Sequence, residues 1–377
     1  LRIRNIKAVA RKEFYHLIRD FRSLYLAFVI PLVLILLFGY ALSLDVNEVK
    51  TVVVDHDRTD LSRDLVRRLD ASDYFRVIAH LPDSRAVTEY LDRGWAIMAV
   101  VIPPGWARDL RAGREVPLQI LLDGSDPNFA NISRGYITGF VSGYNQRLLN
   151  EFLNREGRAR IRPPVEGRIR IWFNEDLESR NFIIPGIIAI IIMIVGAMLT
   201  SLVIAREYES GTMETILSLP LTGVEFLAGK AVPYFLIALT DVLVAILMGQ
   251  ILFGVIMKSS FWLMLLASCL YLSVALSLGF LISIATKSQL VANQMAVLVT
   301  YLPSLLLSNF VFPVSNMPAV LQAVTYIIPA TYYIDILNGL YLRNLSLEHL
   351  WKDYLVLFIM FAVLALLNFI KLKREGL

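Results

Sequence analysis

Six long apolar runs constrain this chain more than any other feature. They occupy residues 24–42, 182–204, 231–256, 261–284, 291–312 and 354–370. A run of about 18 or more apolar residues can cross a bilayer as a helix, with its backbone polar groups satisfied inside the segment. Hydrophobic residues make up 56% of the chain, against about 45–50% in a soluble domain. The excess sits in these runs. The expected fold class is an α-helical polytopic membrane protein with six transmembrane helices, an N-terminal amphipathic interfacial helix, a re-entrant segment before the last span and an inserted external α/β domain.

The boundaries follow from composition. Residues 1–23 read as a cytoplasmic amphipathic helix and 24–44 as the first span. Residues 45–180 read as an external α/β domain, and 181–377 as the other spans with a cytoplasmic loop at 205–230 and an external re-entrant segment at 313–350. In the first segment Ile6, Val9, Ala10, Phe14, Leu17, Ile18 and Phe21 recur at helical spacing, with Arg4, Lys7, Arg11, Lys12 and Arg19 on the remaining faces. Such a helix lies in the membrane interface with its cations toward head groups; packing on protein is the alternative. The run at 24–42 exceeds the usual hydrophobic core of a cleaved signal and reads as an uncleaved anchor.

The polar stretch has an α/β rhythm. Strand-like runs at 49–54, 74–79, 95–102 and 116–122 alternate with helix-like runs at 60–70, 83–93 and 105–111. This predicts a small sheet with helices packed on it. A long helix over 127–155 carries Gly135, Gly139 and Gly143 at four-residue spacing, a groove that lets another helix approach closely; packing within the domain is expected, and a dimer contact is the alternative. Pro163-Pro164 breaks the chain, and 168–173 reads as a final strand. The single cysteine, Cys269, excludes an intramolecular disulfide, and His16, His56, His80 and His349 are scattered without metal-ligand spacing. Asp55, Asp57, Asp123 and Asp126 sit at strand ends, where such residues make turns. No metal site is expected.

Basic residues cluster at 2–22 and 371–374, beside spans, where they act as an orientation signal. A nucleic-acid footprint would place them on a folded face instead, and no nucleic acid is expected as a partner. Both termini should be cytoplasmic. Six spans put both ends on one side, so the two signals agree. The segment 313–350 is broken by Pro313, Pro318 and Pro329 and reads as short re-entrant or interfacial helices.

Catalytic motifs are missing. The stretch from Gly223 to Lys230 has one residue too many between its glycines for a phosphate loop, and it opens a membrane run. ATP chemistry, if used, must come from a partner. The loop Arg206-Glu207-Tyr208-Glu209-Ser210-Gly211-Thr212-Met213-Glu214-Thr215-Ile216-Leu217-Ser218-Leu219-Pro220 is the most informative stretch. If it is one helix, Glu207 and Glu214 share a face. Thr212 can cap a short helix, and Met213, Ile216 and Leu217 form an apolar side. Such an element could dock a cytoplasmic protein or be an ordinary solvated loop.

With Glu207, Gly211, Thr212, Glu214 and Pro220 in this order, the loop resembles the coupling loop of ABC-2 type transporter permeases, specifically those with a large external α/β domain between the first two spans. The stretches at 55–63, 99–106, 123–128 and 173–175, and the segment from Met317-Pro318 to Pro329, extend the likeness over nearly the whole chain. The resemblance implies a non-enzymatic permease subunit of an ATP-driven exporter in the cell (inner) membrane. Its partners would be two copies of an ABC ATPase, a second permease (a homodimer or a sibling heterodimer), membrane lipid and a periplasmic adaptor. It implies no cofactor in this chain, with ATP and magnesium on the ATPase, and an amphipathic or hydrophobic cargo such as a drug, a lipid-linked molecule or an envelope component. Glu207, Glu209, Gly211, Thr212 and Glu214 carry over as the coupling contact. A carboxylate within a span is costly and marks a functional candidate. Asp241 is therefore a translocation-pathway candidate beside Gln294 and Asn309. The competing reading is a membrane-anchored sensor whose external domain binds a ligand.

Overall fold

The computed structural model describes residues 2–41, 48–125, 127–155 and 180–376. The chain divides into two compact units, one of Leu1–Ser43 with Ile171–Leu377 and one of Leu44–Arg170. Asp126, the Pro163-Pro164 break, the expected strand at 168–173 and the motif at 173–175 lie outside the described residues.

The first unit opens with α1 (Ile3–Arg19) and α2 (Phe21–Ala41). The amphipathic helix read over 1–23 is shorter than expected. It stops at Asp20 (φ −89°, ψ 85°), whose N–H still bonds back to the carbonyls of His16 and Leu17.

The second unit follows as β1 (Val49–Asp55), α3 (Asp60–Asp70), β2 (Phe75–Leu81), α4 (Arg85–Asp92), β3 (Met98–Ile102), α5 (Trp106–Arg111), β4 (Gln119–Leu122) and α6 (Pro127–Arg155). Its four strands lie in the order β2-β1-β3-β4. β1 pairs in parallel with both β2 and β3, and β4 runs antiparallel to β3. The two crossovers leave in opposite directions, so right-handed connections put α3 and α4 on opposite faces. Val49, Val53, Met98, Val100 and Ile102 meet Leu65, Leu69, Trp106, Ile137 and Tyr144 on one face. Val52, Val54, Ala99 and Val101 meet Val87 on the other. β3 starts three residues later than the apolar run, because the N–H groups of Trp95 and Ala96 are taken by the Tyr90 carbonyl at the end of α4. The glycine stripe of α6 is a correction. Gly135, Gly139 and Gly143 are exposed, with nothing within 4 Å of an added Cβ. The helix packs instead through Ile137, Phe140 and Tyr144, whose larger apolar area outweighs the groove.

The first unit resumes with α7 (Arg180–Glu209), α8 (Thr212–Leu217), α9 (Gly223–Phe253), α10 (Phe261–Thr286), α11 (Gln289–Ala296), a π-helical turn (Val297–Tyr301), α12 (Leu302–Leu306), α13 (Ala319–Thr325), α14 (Pro329–Tyr341) and α15 (Leu347–Arg374). Among the described residues five helices are long and apolar enough to cross a membrane: α7, α9, α10, the continuous Gln289–Leu306 segment and α15. The count becomes six if α13 and α14, bent by 76°, form one span. The chain is thus a mostly helical, polytopic membrane protein carrying a small sheet.

α7 is apolar on every side and buried almost throughout, which fits a central helix. α10 packs along it closely: a Cβ at Gly279 would collide with the Ala197 carbonyl and Thr200. Tyr271 and Tyr333 stack at 4.2 Å in the interior, and Ser268 hydrogen-bonds the Tyr333 hydroxyl at 2.8 Å. α15 begins at Leu347, seven residues before the apolar run. Leu350, Tyr354 and Leu357 already form a buried helical stripe there, while Glu348, Lys352 and Asp353 mask it in a hydropathy reading.

α1 divides its apolar residues between two surfaces. Leu17 is buried, and Val9 with the Ile6 carbonyl comes against Gly229 of α9. Phe14 and Ile18 stay exposed on the other side.

Candidate functional site

The loop after α7 is a tight reversal. Ser210 returns its N–H to the Arg206 carbonyl at 3.0 Å. Gly211 then takes φ +70°, a left-handed conformation that suits a residue without Cβ. α8 starts at once. Its Met213 and Ile216 are buried, while Glu214, Leu217 and Leu219 face outward. α9 opens with a capping box between Thr222 and Glu225. Glu225 also receives the Arg2 N–H at 2.6 Å and the Asn5 amide at 3.0 Å, which pins the start of α1 to the start of α9.

Beneath this reversal lies a buried ion cluster. Lys230 is 1% exposed, Glu13 4% and Glu207 7%. Lys230 Nζ donates to Glu13 Oε1 at 2.6 Å and to Glu207 Oε1 at 2.8 Å. Lys12 Nζ donates to the same Glu207 oxygen at 2.8 Å. Thr212 Oγ1 donates to Glu207 Oε2, and Tyr234 reaches Glu13 Oε2 at 3.5 Å. Two ammonium groups and two carboxylates make the cluster neutral, with Lys230, Glu13 and Glu207 buried and Lys12 closing it from the solvent side. It ties α1, the end of α7, the first turn of α8 and the first turns of α9 into one body.

A second set of contacts surrounds it. Arg206 bonds Asp20 at 2.9 Å, His16 Nδ1 at 3.0 Å and Gln289 at 3.4 Å. Glu209 accepts from the backbone and side-chain nitrogens of Gln289 at 2.8 and 2.6 Å. Past the end of α15, Glu375 accepts from Lys287 at 2.5 Å and from Tyr208 at 3.2 Å. The Lys287 hydrogen bond holds the Glu375 carboxyl below its ordinary value. Both ends of the described chain therefore meet beside α8, at one end of the first unit.

Of the residues picked from the loop, Glu207 is buried and receives the Thr212 hydroxyl, while Gly211 and Thr212 are themselves exposed at the turn. Glu209 turns to Gln289. Glu214 faces out alone. Glu207 and Glu214 do not share a helix face, because Gly211 breaks the helix between them. Thr212 gives its hydroxyl to Glu207 instead of capping α8, whose N-cap is Gly211. Leu217 is exposed and does not join Met213 and Ile216. Asp241 is buried in α9, Gln294 is exposed on α11, and Asn309 sits at φ +65° as a turn residue accepting from Val314 N–H at 3.1 Å. No hydrogen bond among the described residues joins these three. Asp55 accepts from Asp57 N–H, Arg58 N–H and Ser62, and Asp57 from Thr59 and Ala107 N–H. Asp123 accepts from the Ser125 N–H, which lowers its pKa. No group of His, Cys, Asp or Glu among the described residues is placed to hold a metal.

Sequence reasoning missed Lys230, Glu13 and Lys12. The available signals were Lys230, the one cation inside an apolar run at 224–256, and Glu13, an acid in a basic helix at a position where its neighbours pack inward.

Residues 21–370 match the family model described as ABC-2 family transporter protein. The chain is 36% identical over 343 residues to the probable multidrug ABC transporter permease YbhS of Escherichia coli, covering 90% of this chain and 89% of that protein. It is 31% identical over 343 residues to the probable multidrug ABC transporter permease YbhR of the same organism, covering 91% of each. It is 28% identical over 334 residues to the E. coli inner membrane transport permease YhhJ, covering 86% of each. A family model matched over residues 21–370, relatives matched over nine-tenths of the chain and a set of long apolar helices lead to one conclusion: this chain belongs to the ABC-2 family of transporter proteins and is a membrane-spanning transport permease.

Proposed function

We propose that this permease exports an amphipathic cargo, driven by a separate ATPase that docks on α8. The observation that carries the reading is the two-sided build of the reversal. One side is locked by Glu207, Lys230 and Glu13; the other presents Glu214, Leu217 and Leu219 outward. A partner that pushes on α8 would thereby move α1, α7 and α9 together, and a ligand shifts only the states it binds differentially. Six spans are α2, α7, α9, α10, the α11–α12 segment and α15, with the bent α13–α14 pair not crossing. Support comes from the termini, which meet at one end of the first unit and so require an even number of crossings. The basic residues of α1 and the end of α15 favour a cytoplasmic location for that end, with the second unit outside. Asp241 is assigned to the transport pathway as a buried span carboxylate. The names of the E. coli relatives favour drug-like cargo. The working assembly is taken as a pair of permeases with a pair of ATPases.

Co-expression with candidate ATPases, followed by co-purification and ATP turnover, tests the reading. Glu214→Arg is the discriminating variant, because it alters the outward side and leaves the buried cluster intact. Loss of the ATPase or of stimulated turnover supports docking at α8. A tightly held, fully stimulated ATPase in Glu214→Arg and Leu217→Asp alike would remove α8 as the docking element.

A further inference from the structure

A cavity of about 550 Å³ lies between α9, α10 and α15. Ala231 and Phe235 line it from α9, Leu276 from α10, and Phe361 and Phe369 from α15. One strongly polar side chain stands in this wall. Asn368 is 3% exposed, and its Nδ2 donates to the Ser277 carbonyl at 2.8 Å. That bond fixes the amide orientation, since the flipped amide would set oxygen against oxygen. It leaves Asn368 Oδ1 buried with no hydrogen-bond partner among the described residues. The neighbouring hydroxyls supply no donor. Ser273 gives its proton to the Cys269 carbonyl at 2.7 Å, and Ser277 gives its own to the Ser273 carbonyl at 2.7 Å.

A buried acceptor without a donor is costly, and a mostly apolar cavity with one polar anchor is the usual form of a small-molecule site. The surrounding helices limit where the occupant comes from. Leu243 and Leu247 of α9, and Phe358, Val363 and Leu366 of α15, are large apolar side chains exposed on the same helices away from the cavity lining. In a membrane protein that surface meets lipid. We propose that this cavity binds a membrane-dissolved amphiphile which, with a small displacement of the side chains that cover Asn368, brings one hydroxyl or N–H donor to its Oδ1. The site is separate from the α8 reversal and from Asp241, and it does not depend on the direction of transport.

The test uses the full chain in phosphatidylcholine nanodiscs and two photoreactive probes: a diazirine-bearing long-chain alcohol and its methyl ether. The two differ only in the donor. The alcohol is expected to label peptides containing Ala231 and Asn368 about fivefold more efficiently than the ether at subsaturating concentration, the effect of one net hydrogen bond. Asn368→Leu should keep the labelling and lower the alcohol to the level of the ether. Ala231→Phe should fill the cavity and abolish both. Mass spectrometry of solvent extracts separates two sources. A hydroxylated or amine-bearing lipid lost in Ala231→Phe marks a resident lipid, and labelling without such a lipid marks an exchangeable compound; either supports the site. Equal labelling by alcohol and ether, or an alcohol preference that survives Asn368→Leu, would overturn the proposal. Should Ala231→Phe fail to fold, the Asn368→Leu comparison still decides it.

Discussion

Lys230 and Glu13 lie 217 residues apart in sequence and 2.6 Å apart in space, buried on α9 and α1. The pair, shared with Glu207, makes the N-terminal helix an internal part of the transmembrane unit. The helix packs against protein along one side and leaves Phe14 and Ile18 exposed on the other.

Removing one member of this cluster should be far worse than removing two. Lys230→Met leaves Glu13 and Glu207 facing each other with only Lys12 nearby, an uncompensated buried charge that costs about 3–5 kcal/mol. In Lys230→Met/Glu13→Gln the remaining Lys12 and Glu207 are again neutral, and most of the loss should return. Thermal unfolding of the purified protein, followed by size exclusion, reads this directly. A double variant as unstable as the sum of its singles would show that the charges act independently.

Gly229 should not tolerate a side chain, although glycine within a helix is ordinarily a liability that alanine relieves. A Cβ there would lie 2.6 Å from Val9 Cβ and 3.1 Å from the Ile6 carbonyl. Gly229→Val is therefore expected to lose about 1–3 kcal/mol by overpacking and to lift α1 from α9. Trypsin should then cut faster at Arg4, Lys7 and Arg11. Gly139→Val is the control: that glycine is exposed with nothing near its Cβ, so its proteolysis should match the parent chain.

Much of this architecture is legible in the chain, for a physical reason. Apolar runs report burial of whole helices, and alternation between 49 and 122 reports a sheet covered on both faces. Local grammar also gave the 60–70 and 127–155 helices their ends. The ion cluster was not legible, because its members come from positions 12, 13, 207 and 230 and only tertiary packing brings them together. Lys230 stood out only as the tail of a failed phosphate loop. Glu207 looked like a docking contact because a glutamate in a polar loop is usually solvated. It lies on the buried side of the last turn of α7, and the break at Gly211 puts Glu214 on an exposed side of α8.

Gly211 itself is a conformational requirement without a packing one. It has φ +70° and nothing within 4 Å of an added Cβ. Gly211→Ala should cost about 1–2 kcal/mol from backbone strain alone, and Gly211→Asn less, since asparagine enters the left-handed region more readily. ATP turnover with the docked ATPase should fall in the same order, Ala below Asn below the parent. Equal turnover in all three would show that the geometry of the reversal does not govern coupling.

The C-terminal tie gives a pH dependence whose sign is fixed by its chemistry. Hydrogen bonding from Lys287, with a smaller contribution from Tyr208, lowers the Glu375 pKa from its ordinary 4.5. A carboxylate depressed in the folded state binds fewer protons there than in the unfolded chain, so its stabilisation is complete above the ordinary value and is lost as the pH falls through the lowered one. The tie should hold at pH 6 to 8 and loosen only in the acid range below 4.5. Glu375→Gln should behave at neutral pH as the parent does in acid. Hydrogen exchange of the backbone amides at Leu372–Gly376 measures both, with the intrinsic rate at each pH subtracted. Protection already absent in the parent at pH 7 would mean that the Lys287 contact does not hold the turn, and protection that persists unchanged in Glu375→Gln would mean that packing of Leu372, which is fully buried, holds the C-terminal turn in place.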